Sequence, residues 1–224
     1  VFVLAVYAQS MKVEIPLSFG RIRGHGIRWP LKFLYTSNIP VILIAALLAN
    51  VQLWARLLES WGRPILGTFS GQQPSSGLVA WIFGPDIVGN IIRGAFLPVD
   101  LLRSLVYIIF MIGGAVVFSI FWVQTAGMDA RSQAKQIMAS GLQIPGFRRD
   151  ERVLEHVLNR YIFPLTIMGA IAVGFLAAIA DLSGALSRGT GILLAVMIIY
   201  QLYENIAQQH AVDMHPALRK MMEK

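Results

Sequence analysis

The chain contains no cysteine, so neither a disulfide nor a thiolate metal site can contribute to its fold. Charged residues are scarce as well. They make up 14% of the chain against 56% hydrophobic residues, at a mean hydropathy of +0.62, which leaves too little polar surface to cover a soluble domain. The signatures of common hydrolases and nucleotide-binding enzymes are missing too: there is no GxSxG, no HExxH and no Walker loop. Only four histidines occur, His25, His156, His210 and His215. The last two are five residues apart, a spacing that does not place them on one helix face to hold a metal. No cofactor is implied, and enzyme chemistry is not expected.

What the chain does have is basic charge in the right places. Fourteen of its nineteen Lys and Arg residues fall in 11–34, 128–160 and 204–224. Pairs of apolar segments separate these stretches, so all three lie on one side of a membrane, and their Lys/Arg excess marks that side as cytoplasmic. The net charge of +7 is then explained by insertion and anionic lipid without invoking nucleic acid. The expected fold is all-α, a polytopic transmembrane bundle.

Spans are expected at about 35–58, 101–123, 161–180 and 189–206. The first opens on Thr36, Ser37 and Asn38 with Pro40 one turn in, where a missing N–H costs little. Residues 1–10 begin with an apolar run less than half of the roughly 20 residues a crossing needs. They read as the end of a helix that starts earlier, and the chain as the C-terminal part of a longer protein. Residues 11–34 and 124–160 are expected as cytosolic loops, with helical spacing over Ser132 to Ser140, and 207–224 as a cytosolic tail. The Gly- and Pro-rich segment 59–100 is an external loop. Its apolar part, 78–97, carries Asp86 and Arg93 and suits a short re-entrant or interfacial piece.

Within the spans, Asn50 and Gln52 stand out as amides placed deep in lipid, where each needs a hydrogen-bond partner. Either they bond another helix or they face a water-filled path. Ile39, Ile42, Ala46, Ala49 and Asn50 share one helix face, apolar at its cytoplasmic end and polar deeper. Gly113, Gly114, Ala170 and Gly174 suit close helix packing. Gly20, Gly24 and Gly26 flank Arg21 and Arg23; a phosphate loop should follow a strand and open a helix, and this segment is expected to do neither and to form a hairpin tip. Arg148 and Arg149 follow Pro145-Gly146. Guanidinium groups carried on turns beyond the headgroups suit phosphate-rich partners such as ribosomal RNA, or an acidic protein surface.

Four strings carry a family resemblance: Pro30-Leu31-Lys32-Phe33-Leu34-Tyr35-Thr36-Ser37-Asn38-Ile39-Pro40, Gly146-Phe147-Arg148, Leu158-Asn159-Arg160-Tyr161-Ile162, and Gly189-Thr190-Gly191-Ile192-Leu193-Leu194-Ala195-Val196 running on to Ile199-Tyr200-Gln201. On these, the whole chain resembles the C-terminal half of the SecY family, archaeal and eukaryotic branch, from the end of the sixth helix through the tenth. The resemblance implies one half of an inverted-repeat channel that passes unfolded secretory polypeptides across the membrane and releases hydrophobic segments sideways through a lateral gate. It assigns Ile42 and Leu194 to the apolar pore ring and Asn50, with Gln52 nearby, to the polar part of the gate. Arg21, Arg23 and Arg148 become contacts for the ribosome or other cytosolic partners. The string Arg149-Asp150-Glu151-Arg152 departs from the pattern, with acids positioned to pair with the basic residues beside Arg148. Implied partners are the N-terminal half of the same subunit, SecE-type and beta subunits, the ribosome with its RNA, signal sequences and nascent chains, and lipid. The membrane is expected to be a prokaryotic, archaeal plasma membrane, with the endoplasmic reticulum as the alternative. Two rival classes remain, a secondary transporter binding a solute at Asn50 and Gln52 and a passive assembly scaffold. The absence of an acid within any span, Asp181 and Glu204 lying at span ends, speaks against ion coupling.

Overall fold

A computed structural model describes residues 2–19, 26–62, 64–70, 73–94, 97–143, 150–184 and 189–214. Arg21, Arg23 and Arg148 lie outside the described residues. The chain opens with α1 (Phe2–Ser10), followed by an antiparallel pair, β1 (Lys12–Phe19) and β2 (Gly26–Lys32). Residues 11–34, expected as a loop, therefore contain a regular hairpin. Its signal is the alternation Lys12-Val13-Glu14-Ile15-Pro16-Leu17-Ser18-Phe19, a period of two. The glycine-bracketed segment does follow a strand, contrary to the expectation above, but leads into a second strand and not into a helix.

Next comes α2 (Ile39–Ser60), then a two-stranded turn of β3 (Phe69–Ser70) and β4 (Gln73–Pro74), and the short helices α3 (Leu78–Ile82) and α4 (Ile87–Ile92). Asp86 caps α4 by accepting a hydrogen bond from the Gly89 amide at 2.9 Å. The remaining elements are α5 (Pro98–Thr125), α6 (Ala130–Ala139), β5 (Leu142–Gln143), α7 (Glu151–Leu182) and α8 (Gly189–Met214). Helices α2, α5, α7 and α8 are each long and apolar enough to cross a membrane.

Helix α7 begins at Glu151, a good two turns before the 161 expected from hydropathy. The Asp150 side chain accepts from the Arg152 amide at 2.9 Å, and Glu151 occupies the first turn. Acids at a helix start meet the positive end of its dipole. Asp150 caps this helix; Arg149, its basic neighbour in the sequence reading, lies outside the described residues.

Packing divides into two cores. The membrane core gathers Ile44 and Leu48 of α2, Tyr107, Met111 and Ala115 of α5, Val173, Leu176 and Ala177 of α7, and Leu193 and Val196 of α8. The second lies on the basic side and joins Ile15 and Leu31 of the hairpin to Val123, Ala134, Ile137, Leu154, Leu158 and Ile162. Helix α7 supplies both, and touches α1, α2, α5, α6 and α8. Close approach is made possible by small residues: a methyl group at Gly174 would stand 3.1 Å from the Ala115 Cβ, and one at Gly169 would stand 2.7 Å from the Phe33 carbonyl oxygen. Gly114 meets Ile44 in the same way, whereas Gly113 faces open space within this chain.

These contacts rank two substitutions. Gly169→Ala should destabilise the protein by about 1–3 kcal/mol through overpacking, because a backbone carbonyl cannot rotate away. Gly174→Ala should cost less; thermal unfolding in detergent checks the order. The Asp129 side chain caps α6 by accepting from the Ser132 amide at 3.2 Å, and hydrogen bonding from Ser132 holds its carboxyl below the ordinary value of 3.8. A depressed carboxyl stabilises the fold above its unfolded pKa, and that contribution disappears as pH falls through the folded value. Hydrogen exchange of the first α6 turn should therefore be protected evenly down to the ordinary carboxylate range and lose protection below it. In Asp129→Asn that pH dependence should vanish while most of the cap remains.

Candidate functional site

The first residues of α2 are fixed before the helix begins. Tyr35 donates its hydroxyl to the Met128 carbonyl at 2.6 Å, tying this corner to the turn between α5 and α6. Thr36 is buried, and its Oγ1 lies 3.0 Å from Ser119 Oγ of α5. Ser119 in turn donates to the Thr166 carbonyl of α7 at 3.3 Å, so Thr36 is the donor in the first contact. Ser37 takes a positive φ of 56°, unusual for a residue with a side chain, and its hydroxyl reaches Met197 Sδ of α8 at 3.3 Å. The polar string 35–38 is thus a staple binding α2 to three neighbours, and Pro40 starts the helix where no N–H partner is needed.

That staple sets the rotation of α2. Val41, Ile44 and Leu48 turn inward, while Ile42, Ala46 and Asn50 form an outward stripe. On α8, Leu193, Val196 and Met197 are buried and Leu194 and Ile198 face out. Ile42 and Leu194 retain 38% and 40% of their exposure and belong to outward rows that also hold Leu47 on α2 and Ile198 on α8. Asn50 turns back on its own helix and donates to the Ala46 carbonyl at 2.9 Å, which satisfies one amide hydrogen without a second helix.

Gln52 does not share a face with Asn50. It is half-buried and lines a cavity of about 350 Å³ at the opposite end of the bundle from the hairpin. Asp86, Asn90, Asp100, Arg103, Tyr107 and Asp181 also line that cavity. Tyr107 donates to Asp181 Oδ2 at 2.6 Å across α5 and α7, and Arg103 lies 3.9 Å from Asp100. Sequence reading missed this cluster because its members come from four separate segments.

The two connections on the basic side share one sheet. Strand β5, from the α6–α7 connection, pairs with β1 through Ser18↔Gln143 and Phe19↔Leu142, giving a three-stranded sheet of order β2-β1-β5. The segments leading to Arg21 and to Arg148 thus leave from adjacent strands. Lys32 at the hairpin root pairs with Glu204 of α8, Nζ to Oε2 at 2.6 Å. These two residues are far apart in sequence, and no local pattern links them.

A family model described as SecY matches residues 1–203. The protein translocase subunit SecY of Methanocaldococcus jannaschii is 46% identical over 224 residues, 100% of this chain and 50% of that protein. Its counterpart from Pyrococcus furiosus is 47% identical over 223 residues, covering 99% of this chain and 46% of its own. Among solved structures, a SecY protein whose plug domain stabilises the closed state of the translocation channel superposes with TM-score 0.77 at 46% identity, covering 97% of this chain and 49% of that one. Sec61 in a canine ribosome–channel complex from the endoplasmic reticulum gives 0.69 at 44% identity, covering the same shares of the two chains. The chain spans about half the length of the curated relatives it matches. Its four long apolar helices and archaeal relatives make it an integral membrane protein of an archaeal plasma membrane. With a matching family model over residues 1–203 and relatives nearly half identical across its whole length, the chain belongs to the SecY family.

Proposed function

We propose that this chain forms the C-terminal half of the channel subunit of a general protein translocase, conducting unfolded polypeptides and catalysing no covalent chemistry itself. One observation carries the reading. The aliphatic side chains of Ile42 and Leu194 are left open on adjoining helices of a chain half as long as its relatives. The missing half of such a chain can supply the facing surface, and a narrow ring of aliphatic groups dewets when idle, blocks ions, and parts around a polypeptide without bonding to it.

In this reading the facing surface is the N-terminal half of the subunit, and the seam beside α2 and α5 is the lateral gate, with Asn50 and Gln52 as its polar residues. A segment exposed to lipid there leaves by partitioning, at roughly −0.5 kcal/mol for Leu and +3 for Arg at mid-helix. Arg21, Arg23 and Arg148 are the ribosome contacts, a reading supported by the ribosome-bound state of the canine relative. SecE-type and beta subunits complete the complex. Energy comes from a cytosolic partner. The return of the Asn50 amide to Ala46 and its separation from Gln52 weaken the rival reading of a solute site made by the two amides together.

The test is photocrosslinking from a probe at Ile42 in the complete channel engaged with a stalled secretory chain. An adduct to the nascent chain is expected. Labelling confined to the channel, with engagement proven independently, would remove Ile42 from the pore. Ile42→Asn should make the idle channel leaky to ions by wetting the constriction, measured as dye or ion efflux from proteoliposomes; a passive scaffold would show no change.

A further inference from the structure

We infer that the Lys32–Glu204 pair is a releasable latch that couples the basic-side sheet to the rotation of α8, and through it to Leu194. The coupling follows from helix geometry. Leu194, Met197, Gln201 and Glu204 are spaced three, four and three residues apart, so they follow one face of α8. Met197 and Gln201 line a cavity of about 320 Å³ against Trp29, Leu31, Lys32 and Leu34 at the hairpin root. Leu194 lies ten residues before Glu204, about 15 Å along the same helix at 1.5 Å per residue. A pull or twist at Glu204 is therefore transmitted to Leu194 by a rigid rod.

The sheet end is equally well defined. The Phe33 amide donates to the Met11 carbonyl at 2.9 Å, closing the hairpin base, and the Phe33 carbonyl rests against Gly169 of α7. Strand β5 ties in the second basic loop. Force on either loop thus reaches Lys32 through one sheet. Among the described residues, the other charges on this hairpin are already engaged, since Glu14 takes Arg28 at 3.2 Å and Lys12 at 3.9 Å.

Two features make the pair a latch and not a permanent clamp. Lys32 and Glu204 keep 55% and 32% of their side-chain exposure, and a pair so open to water holds only weakly. The cavity beside it shows that the hairpin root and α8 are not packed tightly here, so α8 can turn without opening a close-packed core. Of the four spans α8 is also the least enclosed within this chain, buried over 17% of its apolar window against 56% for α7.

The inference that Leu194 moves with the latch rests on the proposed channel reading, so the test has two readouts. In the complete channel, Lys32→Ala, Glu204→Ala, the double variant and the exchange Lys32→Glu with Glu204→Lys are compared. Spin labels at Lys12 and Asn205 report the distance between hairpin and α8. Each single variant should broaden that distribution, the double should match the singles, and the charge exchange should restore it. Ion leak of the idle channel should rise severalfold in the singles and return towards the parent level in the exchange. Unchanged distances in the singles, additive effects in the double, or an exchange no better than the singles would overturn the latch. Distances that respond while no variant, nor Ile42→Asn, alters permeability would keep the latch and reject its link to a pore.

Discussion

Helix α7 is the constraint on which the rest of this chain depends. Like α5 it contributes to both cores, and it packs against each of the other long helices. In lipid the hydrophobic effect does not drive helices together, so association relies on packing and on hydrogen bonds between them. The sequence of α7 answers that need with Gly169, Ala170, Gly174, Ala177 and Ala178 on buried faces, which bring its backbone within contact of α5 and of the chain entering α2. The early start at the Asp150 cap extends the same rod into the basic side, where Leu154, Leu158 and Ile162 hold the hairpin and α6.

The polar groups inside the bundle reinforce this centre. The chain from Thr36 through Ser119 to the Thr166 carbonyl links α2, α5 and α7 at one level. Thr166 returns its own hydroxyl to the Ile162 carbonyl at 2.8 Å, so no member is left without a partner. An unpaired hydroxyl at this depth would cost about 1–3 kcal/mol. Because the hydroxyls satisfy each other, they act as registration pins, fixing how far α2 is turned and hence which of its residues face outward.

The proposed function draws on that rotation. In that reading a half-channel must be firm where its helices meet each other and open where they meet a passing polypeptide. The stapled start of α2 and the buried row Val41, Ile44 and Leu48 meet the first demand, and the outward row with Ile42 meets the second. Outside the membrane core, the basic-side sheet meets α8 through the Lys32–Glu204 ion pair.

The sequence by itself determined the membrane class, the number of crossings and the family, because apolar length, the placement of Lys and Arg and contiguous strings such as 30–40 are local properties. It also carried a hairpin signal in the alternation over 12–19, which hydropathy read at helical scale overlooks. Tertiary structure alone decided that Gln52 lines a cavity with residues of other segments while Asn50 faces outward. It alone also decided that Lys32 meets Glu204 and that Thr36 meets Ser119. The physical reason is common to all three. Helix boundaries and partners in lipid are set by which polar groups can satisfy each other once the helices are packed, and those groups lie on different segments of the chain.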